Sequence, residues 1–264
     1  MNSELPKVTI ITISYNAVNE IEKTIISVLD QTYTEKEYII IDGKSNDGTT
    51  EIISEYRDKI DIIVSEKDSG IYDAMNKGIG LASGDWIIFM NAGDCFADNN
   101  VIERIFRSGK DITESIIFGD VINQYNWGQV KSFGRYFKGK EVMLPFSHQS
   151  VFVRSDVLKK ERFDTSFKTA GDHELFYRLY LKGYRFRHLN EFIAIYDVYG
   201  RSGKSMNCFR EVSRINNVTG TEYFIKYFRT LLRHLVLAVT PDKLISAYQK
   251  KKYRKLNRTY ESTN

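Results

Sequence analysis

The chain of 264 residues contains few of the residues that interrupt or cross-link a fold. It has three prolines and no Gly/Ser-rich or repeated stretch, which argues against a long linker or a solenoid. Its two cysteines, Cys95 and Cys208, form no spacing pattern, so we expect reduced thiols rather than a disulfide. No apolar run reaches about 18 residues, and the amino terminus has no signal-like pattern. We therefore expect a globular cytoplasmic protein that does not span a membrane.

The net charge of +4 is unevenly distributed along the chain. Residues 223–264 contain ten Lys/Arg and two acidic residues, a net charge of +8, which leaves −4 on residues 1–222. A basic tail on a mildly acidic body predicts an anionic partner for the tail. A solvated helix face is the alternative interpretation.

Two common nucleotide-binding signatures are missing. After the first apolar run, where a dinucleotide-binding fold carries G-x-G-x-x-G, the chain has Ser14-Tyr15-Asn16-Ala17. The phosphate-binding pattern G-x-x-x-x-G-K-[ST] is also absent. A Rossmann dehydrogenase and a P-loop phosphotransferase are therefore disfavoured.

Three apolar runs in the first hundred residues each end in a polar loop. The runs 8–13, 38–41 and 86–90 are rich in β-branched and aromatic residues, which predicts strands buried on both faces of a parallel sheet. Residues 19–31 and 49–59 have helical apolar spacing, so the predicted order is βαβα. In such a sheet the ligand binds at the carboxyl ends of the strands.

Acidic residues follow two of these strands. Asp42 and Asp47 follow the second run, and Asp94 follows the third. A buried strand-terminal carboxylate is costly without a partner, which favours a functional role for Asp42. Asp47 is a natural N-cap for the next helix, and this structural role is the favoured one for it. The sequence therefore predicts a nucleotide-binding enzyme of the α/β class.

Five motifs occur in an order and spacing that match a known family. They are residues 9–16, 40–49, 68–78 (DSGIYDAMNKG), 91–94 (NAGD) and 170–175 (AGDHEL). Together they resemble family 2 glycosyltransferases, and DSGIYDAMNKG is similar to the branch that builds bacterial surface polysaccharides. The resemblance implies the GT-A nucleotide-diphospho-sugar transferase fold, a mainly parallel central sheet flanked by helices, with a C-terminal basic helical extension. It also implies an inverting sugar transfer to a hydroxyl.

The resemblance assigns the donor site to the first half of the chain. Tyr15 would flank the base, Glu20 would reach the same nucleoside, and Lys77 would offset phosphate charge. A core tyrosine and two solvated surface residues are the alternatives. The residues expected to bind the nucleotide-sugar are Thr12, Tyr15, Asn16, Glu20, Asp42, Asp68, Asn76, Lys77 and Asn91.

The segment Asn91-Ala92-Gly93-Asp94 takes the place of the family's D-x-D metal motif, with an amide for the first acid. By resemblance, Asp94 ligates a divalent ion on the donor diphosphate. One carboxylate, phosphate oxygens and waters suit Mg²⁺ or Mn²⁺.

Asp172 matches the family's general base, and Gly171 replaces the acid that precedes it in relatives. A carboxylate at a helix N-terminus tends to have a lowered pKa, so a helix cap is the competing role for Asp172. Contacts to the acceptor or the diphosphate are expected from His148, Glu174, Arg201 and Lys204. For His148 a structural role is the alternative.

The remaining elements and the tail complete the prediction. Further strands are predicted at 60–65, 115–121, 129–137, 150–154, 184–189 and 192–198, and helices at 172–182 and from 209 onward. We expect a catalytic domain at residues 1–220, with a nucleotide-sugar-binding half (7–98) and an acceptor-binding half (99–220), and a basic amphipathic tail at 221–264.

The basic tail has aromatic residues among its charges, and such a helix can lie on an anionic bilayer. Packing on the catalytic domain or in a homodimer is the alternative, and nucleic acid is disfavoured because no recognition module accompanies the tail. We expect a saccharide acceptor, lipid-linked, at the inner face of the bacterial cytoplasmic membrane. Two other classes stay open. One is a catalytically silent nucleotide-sugar-binding or scaffold protein, which the altered D-x-D motif suggests. The other is a nucleotidyltransferase, although this sequence lacks the Gly-rich N-terminal loop typical of such enzymes.

Overall fold

A computed structural model describes residues 5–107, 112–139, 144–198, 206–240, 244, 247–248 and 250–251. The first half alternates strands and helices as predicted. Its elements are β1 (Val8–Ser14), α1 (Ile21–Leu29), β2 (Lys36–Asp42), α2 (Thr49–Glu55), a 3₁₀ turn (Arg57–Lys59), β3 (Ile62–Ser65), α3 (Ile71–Leu81) and β4 (Trp86–Phe89).

The second half is less regular. Its elements are β5 (Cys95–Phe96), α4 (Val101–Phe106), β6 (Ile116–Tyr125), β7 (Gly128–Ser132), a 3₁₀ turn (His148–Ser150), β8 (Val151–Arg154), α5 (Ser155–Glu161), α6 (Gly171–Leu181), β9 (Phe186–Asp197), α7 (Met206–Ile215) and α8 (Gly220–Val239). The strands predicted at 184–189 and 192–198 form one continuous β9, and the element predicted at 129–137 ends as a strand at Ser132.

Within the described residues, one sheet has the order β3-β2-β1-β4-β8-β6-β9-β5, and β7 pairs with β6. Strands β1 to β4 pair parallel, as do β6 and β9. Strand β8 runs antiparallel to both β4 and β6, and β5 and β7 also pair antiparallel. The expected parallel arrangement therefore holds for strands β1 to β4. The complete sheet is mixed, because β8 lies near the centre of the sheet and runs antiparallel to both of its neighbours.

The sheet is buried on both faces, which explains why its strands read as apolar runs rather than as alternating patterns. On β1, Ile10 faces one core together with apolar residues of α1 and α4, and Ile11 faces the other together with residues of α3, α5 and α6. Both isoleucines are fully buried, and each such side chain contributes about 1.5–3 kcal/mol to folding. These two helix layers fix the carboxyl ends of β1, β2 and β4 at a common edge.

Of the C-terminal helices, α7 packs through the partly buried Ile215 against the core that contains Ile11. Helix α7 contacts the segment before α6, and α8 packs on α7 through Phe209 with Tyr223 and Tyr227. Phe224 and Phe228, on another side of α8, are more than half exposed. Among the described residues, no helix has both the length and the apolar character needed to cross a bilayer.

Candidate active site

The carboxyl ends of three neighbouring strands present one polar row. Ser14, Asp42 and Ser65 lie side by side in the β1–β2–β3 register. The fully buried Asp42 carboxylate accepts hydrogen bonds from Ser14 Oγ (3.0 Å) and Ser65 Oγ (2.8 Å), and from the backbone N of Ser45 (2.9 Å) and its Oγ (2.5 Å). The buried Asp42 carboxylate therefore has its hydrogen-bond partners within the protein. It joins the carboxyl ends of β1, β2 and β3.

The loop after β2 is fastened to the loop after β1. Asn16 accepts from the backbone N of Asn46 (3.1 Å), and its own N donates to Ser45 Oγ (2.8 Å). Asp47 accepts from the backbone N atoms of Thr49 (3.1 Å) and Val18 (3.1 Å). The N-cap of α2 is Gly48 rather than Asp47, but Asp47 still satisfies the first backbone N–H of that helix. These bonds join the two loops at the sheet edge.

Tyr15 and Asp68 converge above the backbone of Gly43. A Cβ at Gly43 would lie 2.6 Å from Asp68 Oδ2 and 3.2 Å from Tyr15 Cδ2. The Tyr15 ring is 54% exposed, so it is not the core residue that the alternative interpretation supposed. An exposed ring beside a carboxylate at strand ends provides a stacking face and a hydrogen-bond acceptor for a nucleoside.

The Asn91–Asp94 loop is tied to α1. The buried Thr24 hydroxyl accepts from the backbone N of Gly93 (3.0 Å) and donates to the carbonyl of Asp94 (2.7 Å). Gly93 has φ +103°, a conformation that L side chains rarely adopt, which explains the glycine inside this motif. A Cβ at Gly93 would lie 3.7 Å from Glu20 Cβ, so the exposed Glu20 stands at the rim of the loop.

Asp94 is buried in this loop with 6% of its surface exposed. Burial raises the pKa of Asp94 to about 6, although His148, a hydrogen bond from Gln149 and Lys23 act in the opposite direction. Nearby, Asn91 Oδ1 is buried without a hydrogen-bond partner among the described residues. A carboxylate penalised by burial and an unsatisfied amide oxygen fit a site for a divalent cation, which prefers oxygen ligands. No cluster of three or more His, Cys, Asp or Glu side chains able to hold a metal occurs in the described part of the chain.

Asp172 lies in the first turn of α6 and is held at both oxygens. His148 Nδ1 lies 3.2 Å from Oδ2, and Tyr72 donates its hydroxyl to Oδ1 at 3.4 Å. Burial would raise the pKa of Asp172, but the hydrogen bond and the charge of His148 outweigh it and hold that pKa below its usual value. Burial likewise opposes the imidazolium, yet Asp172 and Asp94 raise the pKa of His148. The N-cap of α6 is Ala170, so Asp172, two residues further along the chain, is not its N-cap residue.

The Tyr72 ring explains why a glycine stands at position 171, where relatives have an acid. A Cβ at this position would lie 2.7–2.9 Å from three atoms of the Tyr72 ring. That ring also stacks on Phe163 at 5.4 Å between centroids. The glycine therefore makes room for a tyrosine that contacts Asp172 in the same turn.

The segment that leads into α6 is fixed by Glu211 of α7. The Glu211 carboxylate accepts from the backbone N atoms of Lys168 (2.7 Å), Thr169 (2.9 Å) and Ala170 (2.8 Å). Burial would raise the pKa of Glu211, but these donors and the Thr169 hydroxyl lower it. Helix α7 thus positions the start of the helix that carries Asp172.

Four residues expected at the site contact other parts of the fold instead. Thr12 is fully buried and donates to the Met90 carbonyl (2.7 Å), so its side chain faces the core. Asn76 uses both ends of its amide on the backbone of Phe163, at 2.9 Å each. These two bonds join α3 to the segment that follows α5. The side chains of Thr12 and Asn76 are therefore both directed away from the donor site.

The charged residues of the four are paired. Lys77 Nζ lies 2.8 Å from Glu66 Oε1 and 3.8 Å from Asp73 Oδ2, as in its surface interpretation. Glu174 is bound to Arg178 at 2.7 Å on α6. Residues 172 and 174 are two positions apart and point to different sides of a helix, which separates Glu174 from the Asp172 site. Arg201 and Lys204 lie outside the described residues.

Sequence reasoning missed Tyr72, Gln149 and Glu211. Tyr72 lies inside the 68–78 motif and Gln149 is next to His148, so their place beside residues already considered was the available signal. Glu211 had no such signal, because its partners are 41–43 residues away in the chain.

The sequence profile of glycosyl transferase family 2 matches residues 9–182. A PGL/p-HBAD biosynthesis glycosyltransferase of Mycobacterium bovis is 28% identical over 181 residues, which cover 66% of this chain and 66% of that protein. An uncharacterized glycosyltransferase of Mycobacterium tuberculosis is 32% identical over 190 residues (66% and 68%). A Bacillus subtilis protein named for teichuronic acid biosynthesis is 39% identical over 97 residues (36% and 38%). The chain thus spans about two thirds of the length of the first two relatives.

Two solved structures share the fold. TarS residues 1–349 of S. aureus in complex with UDP match with a TM-score of 0.62 and 21% identity, covering 80% of this chain and 64% of that one. The mannosyltransferase PcManGT of Pyrobaculum calidifontis, in complex with GDP-Man and Mn²⁺, matches with a TM-score of 0.61 and 14% identity (98% and 83%). These matches confirm the predicted GT-A fold.

Proposed function

The chain belongs to glycosyl transferase family 2, and we propose that it moves a sugar from a nucleotide-diphospho-sugar donor to a hydroxyl of a saccharide acceptor. The observation that carries the proposal is one 3₁₀ turn that lies beside both acids. His148 of this turn contacts Asp172 at 3.2 Å and Asn91 of the Asp94 loop at 3.3 Å, and both His148 and Gln149 act to lower the pKa of Asp94. A group that serves the leaving diphosphate and a base that serves the incoming hydroxyl have to flank the same sugar, and this turn fixes the two acids relative to each other.

The donor binds along the strand ends. Tyr15 and Asp68 take the nucleoside above Gly43, and Asn16 and Asp42 keep the surrounding loops in place. The diphosphate would lie at the Asn91–Asp94 loop, which Asn91 begins and whose rim Glu20 occupies. The matched structures with UDP and GDP-Man support a uridine or guanosine donor.

Asp94 would hold Mg²⁺ or Mn²⁺, with Asn91 Oδ1 as a nearby oxygen. When bound, such an ion supplies positive charge to the departing diphosphate as a Lewis acid. The Mn²⁺ in the PcManGT structure supports this expectation for the fold.

Asp172 is the general base. Its lowered pKa keeps it ionised at neutral pH, so the carboxylate is ready to take the proton of the acceptor hydroxyl. As the proton moves to Asp172, the acceptor oxygen bonds to the anomeric carbon and the bond from that carbon to the diphosphate oxygen breaks. The electron pair of the broken bond leaves with the nucleoside diphosphate. One displacement of this kind inverts the anomeric centre.

The acceptor belongs to a cell-surface glycan or glycolipid. The relatives named for teichuronic acid and for PGL/p-HBAD biosynthesis support this class. A lipid-linked acceptor at the inner face of the cytoplasmic membrane would give the basic tail an anionic surface to bind, with residues 1–220 as the catalytic domain and 221–264 as the membrane-binding or dimer-forming extension.

The experiment is calorimetry of UDP- and GDP-sugars with and without Mn²⁺, followed by the release of UDP or GDP from the donor that binds. We expect Mn²⁺-dependent binding and turnover in the wild type, and loss of both in Asp94→Asn. We expect Asp172→Asn to bind the donor normally and to react about 10²–10⁴-fold more slowly. Asp58→Asn, which removes an exposed acid on the 3₁₀ turn after α2, is the matched control and keeps full activity.

Donor binding without turnover would indicate a silent nucleotide-sugar-binding protein. Binding of nucleoside triphosphates with release of pyrophosphate would indicate a nucleotidyltransferase. Normal turnover in a folded Asp172→Asn protein would rule out the base.

A further inference from the structure

The imidazole of His148 lies between the two halves of the site. Its Nδ1 is 3.2 Å from Asp172 Oδ2, and its Nε2 is 3.3 Å from Asn91 Nδ2. The side chain keeps 17% of its surface exposed, and that of Asp172 keeps 24%. One ring therefore contacts the base from α6 and the amide that begins the Asp94 loop.

The backbone around His148 leaves the ring little freedom to move. His148 begins the 3₁₀ turn that enters β8, a strand paired with both β4 and β6. In the same turn, the buried Ser150 hydroxyl donates to the carbonyls of Gly119 (2.9 Å) and Ser147 (2.9 Å). The ring is thus placed by a central strand rather than by a surface loop.

The donors and acceptors of Asp172, His148 and Asn91 are mutually consistent. An imidazole with its proton on Nδ1 donates to Asp172, and the lone pair of Nε2 accepts from Asn91 Nδ2–H. If Nε2 also carries a proton, a half-turn of the Asn91 amide presents Oδ1 instead, and that oxygen is the one that has no partner among the described residues. The His148 ring can therefore contact both Asn91 and Asp172 whether or not Nε2 carries a proton.

With the Tyr72 hydroxyl 3.4 Å from Oδ1 and His148 Nδ1 3.2 Å from Oδ2, the Asp172 carboxylate cannot rotate without losing one of these polar contacts. The remaining lone pairs then point in a fixed direction. A base works only in hydrogen-bond reach of the proton that it removes, so this orientation affects the rate of the chemical step rather than donor affinity.

We propose that His148 is a positioning residue that links the base Asp172 to the donor-side amide Asn91 through one series of polar contacts. The role rests on the proposed function. It differs from the contact to acceptor or diphosphate expected from the sequence, because both ring nitrogens are engaged with the protein. His148 acts through Asp172 and Asn91, and its Nδ1–H is the atom that orients the base.

The test compares three substitutions in the full chain. His148→Asn places an amide donor near the position of Nδ1 and keeps the contact to Asp172. His148→Gln places the amide near Nε2 and loses that contact, and His148→Phe keeps the ring without either nitrogen. We expect kcat of the Gln and Phe variants to fall about 10–100-fold with donor KM changed less than about threefold, and kcat of the Asn variant to stay within about threefold of the wild type.

His188→Asn is the matched control. His188 Nε2 lies 2.8 Å from Asp120 Oδ1 with 20% of its side chain exposed, so it is a second His–Asp pair of similar burial outside the site. We expect its kcat to be that of the wild type. The readout is the release of UDP or GDP from the donor identified by calorimetry, with donor binding as the check that each variant is folded.

Equal losses in the Asn and Gln variants would overturn the positioning role, because an amide cannot replace imidazole as a base and His148 would then act chemically. Wild-type kcat in the Gln variant would also overturn it. If the Phe variant does not fold, the contrast between Asn and Gln decides. Absence of turnover in the wild type would instead count against the proposed function.

Discussion

Asp94 combines deep burial with a pKa raised to about 6. The folded chain therefore holds the Asp94 proton more tightly than the unfolded chain, where the pKa is near its ordinary value. Stability must then decrease as pH rises from about 4 through 6, because the charged form is penalised only in the folded state. We expect Asp94→Asn to be more stable than the wild type by about 1–3 kcal/mol at about pH 7.5, and no more stable at about pH 4.

Urea unfolding of both proteins at the two pH values checks this prediction. Mn²⁺ with UDP should stabilise only the wild type, since a ligand that binds the folded state alone raises its stability. A wild type that is the more stable protein at neutral pH without ligand would contradict the assigned environment of Asp94.

The contact between Gly171 and Tyr72 gives a second prediction at the scale of single residues. Gly171→Ala adds a Cβ 2.7 Å from the Tyr72 ring, and overpacking of this kind costs about 1–3 kcal/mol. Alanine is otherwise favoured in a helix by about 1 kcal/mol over glycine. We therefore expect Gly171→Ala to destabilise the wild type but to stabilise a Tyr72→Ala protein. Thermal unfolding of the four proteins of this cycle measures the change of sign, and equal effects in both backgrounds would show that the ring and the glycine are not coupled.

At the scale of elements, α7 is joined to the start of α6 by Glu211. Its pKa is lowered, so the stabilisation is present above the ordinary pKa of a glutamate and is lost as pH falls through the folded value. We expect Glu211→Gln to cost about 1–2 kcal/mol at neutral pH, the lower part of the range for charged hydrogen bonds because Glu211 is partly exposed to solvent. At about pH 3 the two proteins should converge.

Urea denaturation at neutral and acid pH gives the comparison. Glu55→Gln, an exposed acid at the end of α2, is the control for loss of a surface charge. A pH-independent difference between Glu211→Gln and the wild type would show that the carboxylate charge does not hold the two helices together.

At the scale of the whole molecule, α8 presents exposed apolar side chains next to a sequence that is rich in basic residues. Phe224, Phe228 and Leu232 lie on one side of α8 at intervals of four residues, and each is 61–64% exposed. Residues 223–264 carry a net charge of +8. An apolar stripe beside basic residues is suited to an anionic bilayer, where each Lys or Arg near the surface contributes about 1 kcal/mol.

We expect the full chain to sediment with phosphatidylglycerol vesicles and not with phosphatidylcholine vesicles. Added salt should weaken binding, because the Debye length falls to about 8 Å at physiological ionic strength, and the apolar stripe should leave a salt-resistant part. The triple serine variant of Phe224, Phe228 and Leu232 should lose that part, and a chain ending near Gly220 should stay in the supernatant. If the full chain does not bind at low salt, α8 is instead a surface for a second subunit, which sedimentation equilibrium would detect.

The sequence alone predicted the first half of the fold, and its resemblance to the family named the two acids of the proposed mechanism. Runs of β-branched residues that are apolar on both faces fit only strands covered by helices on both sides, and polar loops at their ends mark the binding edge. Asp94 and Asp172 could be named because each belongs to a local motif of adjacent residues.

The tertiary structure decided which partners these acids have and which candidates leave the site. Tyr72 meets Asp172 across 100 residues, and Asn76 turns to Phe163 across 87. Local periodicity also could not predict the direction of β8, the antiparallel strand that follows the His148 turn and makes the sheet mixed. A pattern within one segment fixes the conformation of that segment, whereas hydrogen-bond partners depend on which distant segments the packed cores bring together.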